Sequence, residues 1–247
     1  MKKLILHIPH SSDKIPLKDG YIVNETILNN EILKLTDWHT DDLFHSDFDE
    51  MIVAKFSRIF CDPERFSDDK VEEMASVGMG VLYEKTDDDL LMRKITPELR
   101  AEILTDYYWN HHQKLNDAVN YQLNKYNKAI IIDCHSLSDI PFLRDKDQES
   151  KRTDYSIGID SIHTSDELLQ TTLNFFNDRE IEVAINCPYS GTLVPMEHYQ
   201  KNENVQSIMI EVNRKLYLNE NTNVKSENYG NVKKLIQDYL SEIREML

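Results

Sequence analysis

The stretch Ala129-Ile-Ile-Ile-Asp133-Cys-His135-Ser136 decides the fold. An apolar run this short, closing on polar residues, is the kind that a parallel sheet buries on both faces. Outward from it, residues 3–8 and 51–56 read as strands on the N-terminal side, and residues 181–186 and 207–212 on the C-terminal side. Helical patterns lie between them. Thr96-Pro97-Glu98-Leu99 opens with a capping threonine and a proline in the first turn, and helical periodicity then runs to residue 126. Residues 165–178, starting from a capping Ser165, and residues 225–247 are the other long amphipathic segments, and residues 31–35 form a shorter one. Strands alternating with helices predict an α/β fold, one domain over residues 1–247, with a mostly parallel or mixed sheet covered on both faces. Residues 67–89 and 139–154 read as long surface loops flanking polar motifs.

Ligands of open α/β sheets bind beyond the carboxyl ends of the strands, so the polar residues that follow the apolar runs are the ones to inspect. The first strand leads into His7-Ile-Pro-His10-Ser11-Ser12 and the second into Arg58-Ile-Phe-Cys-Asp62-Pro-Glu64-Arg65. The central run ends in Asp133-Cys-His135-Ser136, and the last carries Glu211-Val-Asn213-Arg214. Asp37-Trp-His39-Thr-Asp41-Asp42 follows the short helical pattern. Histidines and carboxylates at different strand ends are the raw material of an open zinc site, with a glutamate outside the ligand set to take a proton from water. Taken singly, His10 and His135 are equally well read as capping or hydrogen-bonded core histidines. His7, His45 and at least one of His111 and His112 read as structural, while His163 and His198 fall in loop-like segments.

The chain has 247 residues and a formal charge of −16, from 28 basic and 44 acidic side chains. No cluster of basic residues is present to meet nucleic-acid phosphates. A small anionic substrate would have to be held by a few placed arginines, since the overall field repels it. No apolar run reaches the ~20 residues of a membrane span, and the expected location is cytoplasmic. Three widely spaced cysteines, Cys61, Cys134 and Cys187, support neither a disulfide framework nor a cysteine zinc site. With six glycines and no GxGxxG, Walker A or G-x-S-x-G pattern, nucleotide binding and a nucleophile elbow find no support.

Taken together the motifs resemble those of the N-formylglutamate amidohydrolase family. The matching stretches, in order, are Pro9-His10-Ser11-Ser12, Asp37-x-His39-x-Asp41-x-Leu43-Phe44, Ser57-Arg58 with Asp62-x-x-Arg65, and Met79-Gly80-Val81-Leu82-Tyr83. They continue through Ile132-Asp133-Cys134-His135-Ser136, Pro188-Tyr189-Ser190-Gly191 and Ile210-Glu211-Val212-Asn213-Arg214-x-x-Tyr217. The family is similar to the zinc carboxypeptidase-like exopeptidases and hydrolases. The resemblance therefore implies a three-layer α/β/α sandwich around a mixed sheet, with a metal at strand ends.

The implied reaction is hydrolysis of the amide of a small acidic N-acyl amino acid such as N-formyl-L-glutamate, within amino-acid catabolism, histidine degradation included. By the same resemblance His10 and His135 are metal ligands, Asp41 is favoured over Asp37 as the third, and His39 is a rival nitrogen donor. One zinc per chain is implied, although manganese, iron or cobalt suits the same donors. Glu211 would be general base and then acid; its alternative is a buried ion pair with Arg214. Arg58 and Arg65 would grip substrate carboxylates, with Asn213, Arg214 and Tyr189 as further substrate contacts.

Two departures stand out. The family's Asp-x-Asn-Arg is Asp62-Pro63-Glu64-Arg65 here, so Glu64 either faces away from the pocket or disfavours a second substrate carboxylate. Tyr107-Tyr-Trp-Asn-His-His112 resembles a family Tyr-Tyr-x-Pro-Tyr-His stretch with Asn110 and His111 substituted, which leaves His112 a secondary candidate. The competing readings are a metal hydrolase of another C–N bond, in a peptide or cell-wall fragment, and a noncatalytic binder of small anions.

Overall fold

The computed structural model describes residues 2–148 and 151–247, so positions 149 and 150 of the expected 139–154 loop lie outside the described residues. The central strand is longer than its apolar run. β3 covers Ala129–Leu137, buried throughout, and pairs in parallel with β1 (Ile5–Ile8) and β6 (Val205–Asn213). β2 (Glu50–Val53) adds in parallel to β1, β4 (Tyr155–Gly158) runs antiparallel to β6, and β5 (Val183–Ile185) is parallel to β4. Among the described residues this gives one six-stranded mixed sheet in the order β2-β1-β3-β6-β4-β5. β4 has no counterpart in the sequence reading: four residues emerging from a charged loop carry no periodicity of their own, and only pairing with β6 makes them a strand.

The helices are α1 (Glu25–Leu35), α2 (Thr40–Leu43), α3 (Pro97–Ile103), α4 (Trp109–Tyr126), α5 (Asp166–Asn177) and α6 (Tyr229–Arg244). Asn24, Thr96 and Ser165 cap α1, α3 and α5, each accepting the main-chain N–H three residues on. The helix expected over 96–126 is interrupted by a π turn, Leu104–Tyr108, which rotates α4 relative to α3. The C-terminal helix begins at Tyr229 rather than 225, because Val224–Lys225 pairs with Leu218–Asn219 as a hairpin, β7–β8.

Strand side chains alternate between the two faces of the sheet, and the alternation makes the site. Ile130, Ile132, Cys134, Ile208 and Ile210 pack against Phe175 and Phe176 of α5 and Ile236 and Leu240 of α6. On the opposite face Ile5, Ile131 and Val205 pack against Leu115 and Val119 of α4. Fully burying each such aliphatic side chain contributes about 1.5–3 kcal/mol. Further along this second face the same alternation presents His7, Asp133, His135 and Glu211, all buried, with His7 meeting His111 at the start of α4. The apolar half of each strand anchors the layer and the polar half faces a cavity.

Candidate functional site

His10 follows β1 directly, His135 lies inside β3, and Asp37 comes from the turn that ends α1, whose main-chain N–H donates to the His10 carbonyl. Their ligand atoms all lie within 4.8 Å of one another. Asp37 Oδ2 is 3.2 Å from His135 Nδ1 and 3.8 Å from His10 Nδ1. The opposite nitrogens are held from behind: His10 Nε2 donates to Asp62 Oδ1 at 2.8 Å, and His135 Nε2 faces Asp133 Oδ1 at 3.2 Å and Glu64 Oε1 at 3.1 Å. Carboxylates behind both imidazoles are the usual support of metal-binding histidines, because they fix the ring and raise its basicity.

Two observations fit this cluster to a cation. His10 Nδ1 is buried, points at the cluster and has no hydrogen-bond partner among the described residues. Burial opposes a charged imidazole, yet Glu64 and Asp133 push the His135 pKa well above its ordinary value, so the potential here attracts positive charge. Two imidazoles and one carboxylate with an open side match the donor set of a catalytic zinc.

Asp41, preferred in the sequence reading as the third ligand, is exposed on α2 and is not among the converging donors; Asp37 takes that place. The reason is local geometry. His39 adopts a left-handed conformation (φ 66°) at the start of α2, which turns the helix away after Asp37. The His39 ring goes with it, placing Nε2 3.1 Å from the Asn223 carbonyl beyond the hairpin.

Glu211 lies directly opposite His135 in the β3–β6 register. It is buried, lines the cavity, and its Oε2 has no hydrogen-bond partner among the described residues. Burial raises its pKa to about 7, against the opposing pull of His135. Its alternative role, an ion pair with Arg214, is not the arrangement seen. Arg214 donates to Asp37 Oδ1 at 2.8 Å, to the Lys34 carbonyl at 2.7 Å and to Ser136 Oγ at 3.2 Å. Through these bonds Arg214 steadies Asp37, and it also lines the cavity. Asn213, unlike Arg214, does not line the cavity: its amide donates to Asp139 Oδ1 and the Thr153 carbonyl, and its oxygen caps the following turn.

The cavity measures about 600 Å³. Arg58, Arg65 and Tyr189 line it, Tyr189 with its hydroxyl donating to Asp145 Oδ1 at 2.9 Å. Arg58 donates through Nε and Nη2 to Asp62 Oδ2, while Arg65 Nε, 3.9 Å from the same carboxylate, has no hydrogen-bond partner among the described residues. Burial favours the neutral form of Asp62, but His10, Arg58 and Arg65 hold its pKa well below the usual carboxylate range. Burial likewise pushes Tyr83, which donates to Asp62 Oδ2 at 2.8 Å, up to about 12. Glu64 neither faces away nor points at the arginines; it lines the cavity and turns toward His135 and His7. His112 lines the cavity as well and donates to the Pro63 carbonyl, pinning the Asp62–Arg65 turn to α4.

Sequence reasoning assigns no role to Asp62 and Asp133 and treats His7 as structural. The one available signal for Asp133 is its period-two spacing to His135, which puts both on one face of β3. Nothing local announces Asp62, whose partner His10 is 52 positions away.

A family model described as N-formylglutamate amidohydrolase matches residues 2–218. No curated protein matches the chain. Among solved structures, the N-formylglutamate amidohydrolase from Ralstonia eutropha JMP134 superposes with a TM-score of 0.88 at 22% identity, covering 99% of this chain and 94% of that one. A gene product from Agrobacterium tumefaciens superposes with a TM-score of 0.69 at 17% identity, covering 98% and 92%. Both likenesses are of fold.

Proposed function

The chain belongs to the N-formylglutamate amidohydrolase family and is a hydrolase of an amide C–N bond, and from that premise we propose that it cleaves a small acidic N-acyl amino acid, with N-formyl-L-glutamate as the reference substrate. Residues 1–247 act in this reading as one domain. His10, Asp37 and His135 hold a divalent cation, zinc by donor type. Bound there, the cation supplies Lewis acidity for the attacking water and for the amide carbonyl oxygen.

The protein's own groups do the rest. Glu211, with one carboxylate oxygen uncommitted, removes the proton from the attacking water and returns it to the departing amine nitrogen, a task that requires a positioned carboxylate at the cavity wall. Arg65, with an unspent guanidinium N–H, and Arg58 beside it receive the substrate carboxylates. Asp62 fixes Arg58 and His10 at once, which ties substrate binding to the metal cluster. Arg214 and the Ser136 main-chain N–H hold Asp37.

The observation that carries this reading is the pairing, at one cavity, of the His10–Asp37–His135 cluster with a buried, unpartnered Glu211 oxygen. The test is formate release from N-formyl-L-glutamate before and after chelation. We expect turnover that a chelator abolishes and added zinc restores. Turnover indifferent to chelation, with the protein shown to be free of metal, contradicts the reading.

A further inference from the structure

On the side of His135 away from Asp37 lies a second ring of donors. His7 Nδ1 is 2.8 Å from Asp133 Oδ1 and 3.5 Å from Glu64 Oε1. His135 Nε2 is 3.1 Å from Glu64 Oε1 and 3.2 Å from that same Asp133 oxygen. We propose that His7, Glu64 and Asp133 form a second divalent-cation site, with His135 Nε2 at its fourth corner.

The spacing supports it. A tetrahedral ion with bonds of about 2.0 Å needs donor atoms about 3.3 Å apart, and the four separations above bracket that value. The donors are also aimed from behind. Asp133 Oδ2 accepts the Leu193 main-chain N–H at 2.8 Å, which leaves Oδ1 turned inward. His7 Nε2 lies 2.9 Å from His111 Nε2, so with a proton on Nε2 the Nδ1 lone pair is free for the ring. Two carboxylates and one neutral imidazole balance a divalent charge, and Glu64, which lines the cavity with 14% of its side chain exposed, supplies the way in.

Binding displaces into solvent the protons that otherwise lie between these nitrogens and oxygens. With both ions bound, His135 loses its ring proton to solvent and bridges as an imidazolate, presenting Nδ1 to one site and Nε2, in place of its hydrogen bond to Asp133 and Glu64, to the other. The consequence concerns the substrate: a cation here neutralises Glu64, so an acidic ligand reaching Arg58 and Arg65 no longer meets an anion in the same wall. The inference touches the proposed catalytic cluster only through His135, and the two are separable by mutation.

The full chain, stripped by chelator and then equilibrated with zinc, is assayed for metal content by elemental analysis. We expect about two zinc ions per chain in the wild type, about one in both Glu64→Gln and Glu64→Ala, and about one in Asp37→Asn. Glu64 is partly exposed, so neither of its variants opens a buried void. Wild-type zinc content in both Glu64 variants overturns the second site, as does a wild type whose zinc is lost entirely in Asp37→Asn. Zinc lost in the Glu64 variants but fully kept in Asp37→Asn overturns the His10–Asp37–His135 reading and leaves the second site standing.

Discussion

Asp62 has no exposed surface, and its two oxygens divide the work of the site: Oδ1 takes the His10 N–H, while Oδ2 takes Arg58 and the Tyr83 hydroxyl. An amide in its place keeps the shape but removes the charge that balances the buried arginines, and breaking a buried ion pair in this way costs roughly 3–5 kcal/mol. Asp62→Asn is therefore expected to lower unfolding free energy by about 3 kcal/mol in denaturant titration. It should also weaken zinc binding by about 10- to 100-fold, because His10 loses the carboxylate that orients it. Loss of stability with unchanged zinc affinity would show that Asp62 serves the fold alone. At this scale the sequence is only half legible. His10, His135, Arg58 and Glu211 stand at or near strand ends, where an α/β fold displays ligands, but the carboxylate that converges with the histidines is Asp37 and not the Asp41 the sequence favours, with the left-handed His39 lying between the two.

Among the elements, α2 and α6 are clamped by one carboxylate. Asp42 accepts from Lys225, Lys233 and the Tyr229 hydroxyl at 3.0, 2.6 and 2.6 Å. Partial burial works against its charge, but Lys233, Tyr229 and Lys225 outweigh it and hold its pKa below the usual carboxylate range. A depressed folded-state pKa means that the stabilisation is fully present above the unfolded value, near pH 4, and is lost as pH falls below it. Asp42→Asn should cost about 0.5–1 kcal/mol at pH 7, a figure discounted for the exposure of the pair, and the difference from wild type should shrink progressively in acid denaturation as pH falls from the unfolded value, near 4, through the lower folded-state pKa. A difference that stays constant across the whole acid titration would assign Asp42 a packing role. The strands of the parallel core are legible because burial on both faces demands continuous apolar runs. β4 and the Leu104–Tyr108 π turn are not, since the first depends on its partner strand and the second on how α4 packs, and neither leaves a local pattern.

For the whole molecule, the charge of −16 opposes the acidic substrate proposed here, and the fold brings Arg58 and Arg65 to one cavity beside the His10–Asp37–His135 cluster, where the proposal has them offset it locally. Among the described residues no helix is long and apolar enough to cross a membrane. The α/β/α layering is legible from the alternation of strands and helices. The convergence of residues 10, 37, 58, 65, 135 and 211 is not, because it is a property of the strand order, which places β1, β3 and β6 side by side although residues 138–204 lie between β3 and β6. Only the ordered set of family motifs carries that information in the sequence. The central claim is that Glu211 moves the proton at a cation held by other residues. Formate release by Glu211→Gln and wild type, compared at equal zinc content, tests it most directly. The account predicts unchanged zinc content and a fall in kcat of about 10²- to 10⁴-fold, the contribution of a positioned general base. A variant that keeps kcat within a factor of a few would contradict it.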